Sequence, residues 1–319
     1  MKKNLLYFCT MFIDYKMEFN SCKQLLNRGI IIFLFVCFLL SCQTRKEIAV
    51  PKPCSTKYPI LLVHGVSFRD DVPFFKYWSH LPNVLEMYGA KVYLANHQAF
   101  NSHVENALLL RERVLEILSE TGCEKINIIA HSKGGVESRY LITKLDMADK
   151  VASLTTLASP HRGSYIADTI LCWLSKKNWL NKTVRAANSF GQFLGDKNPD
   201  ALTAAQNLTL EYMQDFNQSV PNMPQVYYQS YGATVSKDYP AWLVNFQHKI
   251  LLEKEGENDC TVSLKSYQWG NFKGVVKSDQ DIGVSHFDIV GMKFVSKQST
   301  FDAERFFIEI VADLKERGF

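Results

Sequence analysis

Ser132 stands in Ala130-His131-Ser132-Lys133-Gly134-Gly135, between a β-rich run at 125–130 and a helical pattern at 133–145. A serine on a sharp strand-to-helix turn is raised above a sheet as a nucleophile. Small residues two before and two after it let strand and helix approach, and Ala130 and Gly134 supply them. The helix N-terminus beneath the serine favours developing negative charge. A serine in such a turn can also act only as an N-cap. Gly134-Gly135 argues against that plainer role: two glycines just inside a helix cost stability, which points to close packing or function.

A serine nucleophile needs a base, an orienting carboxylate and donors for the oxyanion. One donor is the N–H after the nucleophile, here Lys133. The other comes from the loop after an early strand, and in Val63-His64-Gly65-Val66 the N–H of Val66 is placed for it. His64 precedes the serine and reads as a histidine that fixes this loop by hydrogen bonding. In strand–turn–helix sites of this kind the chain order is Ser, acid, His. Three histidines follow Ser132: His161, His248 and His286. His161 comes too early to leave room for an acid-bearing strand, and His248 sits in an apolar helical stretch. His286, in a loop before the last elements, is the expected base. Asp259, in a Gly/Asn/Asp-rich loop, is the expected acid, with turn chemistry as its plainer reading. Asp279 and Asp281 compete, but lie very near His286.

From Tyr58 the chain alternates β-rich runs with helical patterns, which predicts a mostly parallel sheet covered by helices. Residues 59–63 (PILLV) form the apolar run of a strand buried on both faces. Further strands are expected at 91–95, 125–130, 151–157 and 225–231. Residues 103–121 carry Ala107, Leu110, Val114, Ile117 and Leu118 at helical spacing, and Gly122 ends the pattern. Residues 302–317 close the chain as a helix. Residues 165–222 break the alternation with mixed helical patterns, where Lys176, Lys177, Lys182 and Arg185 interleave with aromatic and aliphatic residues. They read as a helical insertion over the sheet edge.

The chain has 319 residues, 47% of them hydrophobic and 21% charged, which excludes a disordered or low-complexity protein. The formal net charge of +4 gives no argument for nucleic acid. Residues 30–40 (IIIFLFVCFLL) are uncharged and follow Lys23 and Arg28. At about 1.5 Å rise per residue the run is too short to span a bilayer comfortably, and it fits the apolar core of an export signal at 1–41. Met17 would start a signal of ordinary length. Within the domain, Cys54, Cys123, Cys172 and Cys260 match no zinc spacing. They are open to three pairings or to none.

Two resemblances follow from these residues. Leu39-Leu40-Ser41-Cys42 resembles a bacterial lipobox. It implies an acylated Cys42, a tether at 42–57 and an exported, membrane-anchored lipoprotein of the cell envelope; a plain signal peptide and a secreted protein are the alternative. The pieces YPILLVHGV, KINIIAHSKGG, VASLTTLASPHRGS, EGEND and SHFD occur in the order and spacing of bacterial triacylglycerol lipases of the α/β-hydrolase fold. That resemblance covers nearly all of 58–319. It implies Ser132 as nucleophile, Asp259 as acid, His286 as base, and Val66 and Lys133 as oxyanion donors. It implies a lid and acyl pocket at 165–222, and a lipid or long-chain ester as substrate. No cofactor is required. Some relatives hold a structural calcium through an Asp two residues after the histidine. Asp288 matches that position, whereas Met292 is no oxygen donor. The family often has Asn-Asp-Gly where this chain has Asn258-Asp259-Cys260. A short-chain carboxylesterase, a phospholipase and a surface lipoprotein that binds without catalysis are the competing readings.

Overall fold

The run Ile60–Val63 is a strand, β1, and all four side chains are buried. Ile60 and Leu62 join one apolar cluster, Leu61 and Val63 another. Successive strand residues point to opposite faces, so an uninterrupted apolar run means a strand covered on both sides. The computed structural model describes residues 52–319, apart from 71, 73, 74, 237, 238, 240–243 and 293–298. The export signal, Met17, Cys42 and the first part of the tether lie outside the described residues.

The chain continues through α1 (Leu81–Met87), β2 (Val92–Leu94), α2 (His103–Thr121), β3 (Ile126–His131), α3 (Lys133–Lys144) and β4 (Val151–Leu157). Four helices then fill the 165–222 region: α4 (Tyr165–Lys176), α5 (Leu180–Phe193), α6 (Ala201–Gln206) and α7 (Leu210–Ser219). After them come β5 (Tyr227–Ala233), α8 (Asn245–Lys254), α9 (Leu264–Tyr267), β6 (Asn271–Val276) and α10 (Ala303–Glu316). The six strands form one sheet in the order β2-β1-β3-β4-β5-β6, and every pairing is parallel. Residues of α2 and α3 pack on one face; residues of α1 and α10 pack on the other. The expected mostly parallel, helix-covered sheet is the observed one.

Helix α2 shows why the spacing was readable. Ser102 caps it, accepting from the Glu105 N–H at 3.1 Å, and Gly122 ends it at φ +67°, a left-handed turn that glycine adopts without penalty. Residues 52–57, read above as part of a tether, pack on the domain. Cys54 is fully buried, its N–H donates to Tyr88 O at 3.1 Å, and the Lys57 N–H donates to Phe319 O at 2.7 Å. Residues 52–57 therefore belong to the folded domain. The four domain cysteines are all unpaired.

Strand order locates a crevice. From β1 the chain moves outward to β2, then returns past β1 to place β3 on its other side. The loops leaving β1 and β3 diverge there, and ligands of parallel sheets bind at such a point, beyond the C-terminal strand ends. The loop after β1 carries Val66. The turn after β3 carries Ser132.

Candidate active site

Ser132 occupies the N-cap position of α3 with φ +55° and ψ −131°, but its side chain makes no cap hydrogen bond, so its hydroxyl is not spent on capping. A non-glycine residue held there costs about 1–3 kcal/mol, which the surrounding packing must offset. The Ser132 N–H donates to Leu157 O at 3.0 Å, tying the turn to β4. The two glycines after it are packing requirements. A Cβ on Gly134 would meet the backbone carbonyls of His64 and Val63, and one on Gly135 would meet the Ser159 side chain. Gly134→Ala should lower stability by about 1–3 kcal/mol in urea unfolding. The gain in helix propensity, roughly 1 kcal/mol, cannot offset a collision with backbone that has no rotamer to yield.

The structure brings Ser132, His286 and Asp259 together. His286 Nε2 lies 3.0 Å from Ser132 Oγ, and His286 Nδ1 lies 2.8 Å from Asp259 Oδ2. The other carboxylate oxygen, Oδ1, accepts from the N–H groups of Thr261 at 2.9 Å and Val262 at 2.7 Å. The His286 N–H also donates to Asp259 O at 2.9 Å, so the two loops are braced through main chain as well as side chain. Asp259 is a carboxylate fixed at both oxygens, which sets Nδ1–H on His286 and leaves Nε2 bare toward the serine. Ser132 and His286 are only 5% and 4% exposed, so little of either side chain meets solvent.

The competitors fall elsewhere. Asp279 and Asp281 lie in the exposed loop after β6. His248 sits on α8, and its Nδ1 is 2.9 Å from Asn258 Oδ1, which also accepts from the Cys260 N–H at 2.9 Å. It supports the loop that carries Asp259. His161 is buried, 3.0 Å from Thr156 Oγ1 and stacked on Trp269, with the Arg139 guanidinium over the same indole. Arg162 donates to Lys265 O at 2.9 Å and Gln268 O at 2.6 Å. The PHRGS segment therefore fastens α7 and α9 to the sheet. Cys260, where relatives often have Gly, has φ +82° and is buried among Tyr239 and Val244.

Val66 and Lys133 lie on either side of the crevice, on the β1 loop and at the first position of α3. The first N–H groups of a helix have no partner inside it. The β1 loop is held closely. His64 is buried, with Nδ1 2.7 Å from Gly65 O, and its ring stacks on His97 at 3.7 Å. A Cβ on Gly65 would fall 2.7 Å from Ser132 Cβ. The histidine does fix this loop, as its position before the serine suggested.

Sequence reasoning missed the polar groups under the crevice. Lys133 Nζ is ion-paired with Glu137, one helical turn on, and both are buried. Glu137 also lies 2.9 Å from His97 Nε2 and accepts from Asn106 Nδ2 at 2.7 Å. Burial alone would raise the Glu137 carboxyl, but the Lys133 ammonium and the His97 ring outweigh it and hold the group well below the ordinary carboxylate range. The Lys133–Glu137 spacing was legible as a helical pair, but nothing in it showed that the pair is buried.

Asp288, the calcium candidate, accepts from Tyr239 Oη at 2.8 Å and from the Ser285 hydroxyl at 2.7 Å through one oxygen. Among the described residues no group of three His, Cys, Asp or Glu side chains is placed to hold a metal. Both hydroxyls and the Ser285 N–H donate to Oδ2, while Oδ1 is buried with no hydrogen-bond partner among the described residues.

A parallel sheet with a serine raised on the turn after β3 defines an α/β hydrolase of the serine ester hydrolase class. Comparisons with known proteins agree. Residues 59–301 match the model of the palmitoyl protein thioesterase family. A triacylglycerol lipase 2 of Saccharomyces cerevisiae is 29% identical over 262 residues, 76% of this chain and 74% of that one. A triacylglycerol lipase of Burkholderia plantarii is 35% identical over 188 residues, 55% of this chain and about half of that one, at 51%. The crystal structure of Staphylococcus hyicus lipase superposes with a TM-score of 0.61 at 19% identity, covering 86% of this chain and 99% of that one, which shows a shared fold. The chain belongs to the palmitoyl protein thioesterase family.

Proposed function

We propose that the protein hydrolyses long-chain acyl esters of lipid, with triacylglycerol as the reference substrate. The observation that carries this is the line Asp259–His286–Ser132, at 2.8 and 3.0 Å. His286 Nε2 takes the Ser132 proton as Oγ bonds to the ester carbonyl carbon. Val66 and Lys133 donate to the resulting oxyanion, and Asp259 stabilises the imidazolium. His286 then protonates the departing alcohol, and an acyl group remains on Ser132. Water, deprotonated by His286, releases the acid and restores the serine.

The long-chain preference rests on 165–222, read as a lid. Helix α5 with its cap presents Trp179, Ala186, Phe190 and Phe193 at spacings of seven, four and three residues, one line along a helix, and all four are exposed. Trp173 packs edge-on against Trp179 at 5.5 Å. Lys176, Lys177, Lys182 and Arg185 accompany this line, and no Asp or Glu occurs between Asp168 and Asp196. A cationic helix with a partly exposed aromatic line suits a lipid surface. An acylated Cys42 would hold the protein there, as a cell-envelope lipoprotein.

The family model favours a second leaving group, the thiol of a palmitoyl thioester, which the same acyl-enzyme chemistry accommodates. The test uses the full chain in detergent. Emulsified long-chain triglyceride, a soluble short-chain ester and a palmitoyl thioester are compared, with Ser132→Ala as control. Triglyceride hydrolysis that disappears in the variant is expected. Activity confined to the short ester would make the protein a carboxylesterase, activity confined to the thioester would fix the thiol as leaving group, and none at all from folded protein would leave a binding lipoprotein.

A further inference from the structure

Three buried groups join the two halves of the site. The Gly65 N–H donates to Tyr77 Oη at 2.8 Å. Tyr77 Oη lies 2.6 Å from His131 Nδ1, and His131 Nε2 lies 2.9 Å from His286 O. Each end fixes a direction. A backbone N–H can only donate and a carbonyl can only accept, so His131 carries its proton on Nε2, its Nδ1 is bare, and the Tyr77 hydroxyl donates to it. The result is one unbranched chain, Gly65 N–H to Tyr77 O–H to His131 to the His286 carbonyl, with every donor and acceptor satisfied.

We infer that Tyr77 and His131 are positioning residues that set the oxyanion loop and the His286 loop in register with Ser132. The inference rests on the catalytic roles proposed above. The Gly65 peptides are gripped from both sides: Tyr77 holds the N–H, and His64, 2.7 Å from Gly65 O, holds the carbonyl. That carbonyl and the Val66 N–H belong to one planar peptide unit, so its grip aims the donor. At the other end, His131 holds the carbonyl of His286 and packs against its ring at 4.6 Å. His131 immediately precedes the nucleophile, so the three parts that must meet in the transition state share one rigid link. Preorganised donors contribute more to the transition state than to substrate binding.

The test compares wild type, Tyr77→Phe, His131→Leu and the double variant, using whichever ester the wild type cleaves, with Ser132→Ala as the zero. Tyr77→Phe should lower kcat by about ten- to a hundredfold with KM changed less than about threefold, and should weaken a boronic acid transition-state analogue in parallel. The double variant should be no slower than the slower single, because one chain is broken once. Unchanged kcat in folded Tyr77→Phe, or a loss confined to KM, would overturn the inference. Wild-type inactivity would instead remove the functional reading on which it rests. A measurement on unaltered protein stands beside these if the variants do not fold. Nitrogen-15 spectra of the histidine rings should show His131 neutral with its proton on Nε2, and a proton on Nδ1 would sink the chain as drawn.

Discussion

Ser132→Ala is expected to lower turnover by about four or more orders of magnitude, with the fold retained. The alanine keeps the small volume of the turn and leaves His286 and Asp259 paired, so urea unfolding should move little. A small loss is expected, because the serine hydroxyl, at 3.0 Å, is the partner of a buried ring nitrogen that alanine leaves unpaired. Asp259→Asn should cost nearly as much turnover for a different reason. An amide donates where the carboxylate accepts from His286 Nδ1, and so favours the wrong tautomer. Losses should not add: Ser132→Ala combined with Asp259→Asn should be about as slow as Ser132→Ala alone, since the residues act as one unit. Steady-state assays of the three variants on a single ester decide this. Additive losses would mean that Asp259 acts on something other than the Ser132–His286 pair.

Below about pH 6.5 the protein should lose stability steeply. His64, His103, His131 and His161 are buried. Burial lowers the pKa of each, that of His103 to about 3. In the unfolded chain all four titrate near 6.5. Well above that value neither state holds these protons, and the contribution is flat. Below it the unfolded chain binds protons that the native state refuses, so the unfolding free energy falls as pH falls. Four such groups give a slope approaching about 5 kcal/mol per pH unit until the native values are reached. Urea midpoints at pH 7.5, 6.5 and 5.5 should fall slightly over the first interval and about three times as far over the second. A flat profile throughout would show that these rings are charged in the native protein.

The parts of the fold that could be read from sequence are those where burial is uniform. Strand β4 and helix α2 occur at 151–157 and 103–121 as expected, because a short run of small, β-branched and aliphatic residues and a one-sided helix each leave a regular pattern. Strand β5 lies two residues later than expected. Its end uses Gly232, where the Tyr267 ring leaves no room for a Cβ, and a glycine reads as the end of a strand. Strand β6 was not legible. It is the edge strand, partly exposed, with Lys273 and Gly274 inside it. Helix α1 is seven residues with Pro82 near its start and no side-chain cap. At the site, Ser132, Asp259 and His286 could be proposed from residue type, loop chemistry and chain order. Tyr77, His97, Glu137 and the role of His131 could not. Buried polar groups look in sequence like surface ones, and only the fold brings Tyr77 from before α1 against a histidine at the end of β3.

Among the described residues every pairing in the sheet is parallel, so none of them is a hairpin. Ile60 pairs with Asn127, Ser153 with Tyr227 and Gln229 with Asn271, so each ladder closes only after a long stretch of chain has been brought round. Closing such stretches costs entropy before the pairing returns anything, which makes sheets of this kind slow to assemble. The turn at Ser132 is held by β1, β3 and β4 together, and the strained serine has no local sequence to stabilise it. Chemistry therefore arrives late on the folding route: until the long-range ladders are in register there is neither a crevice nor a raised nucleophile, and a partly folded chain carries its apolar edges without its activity.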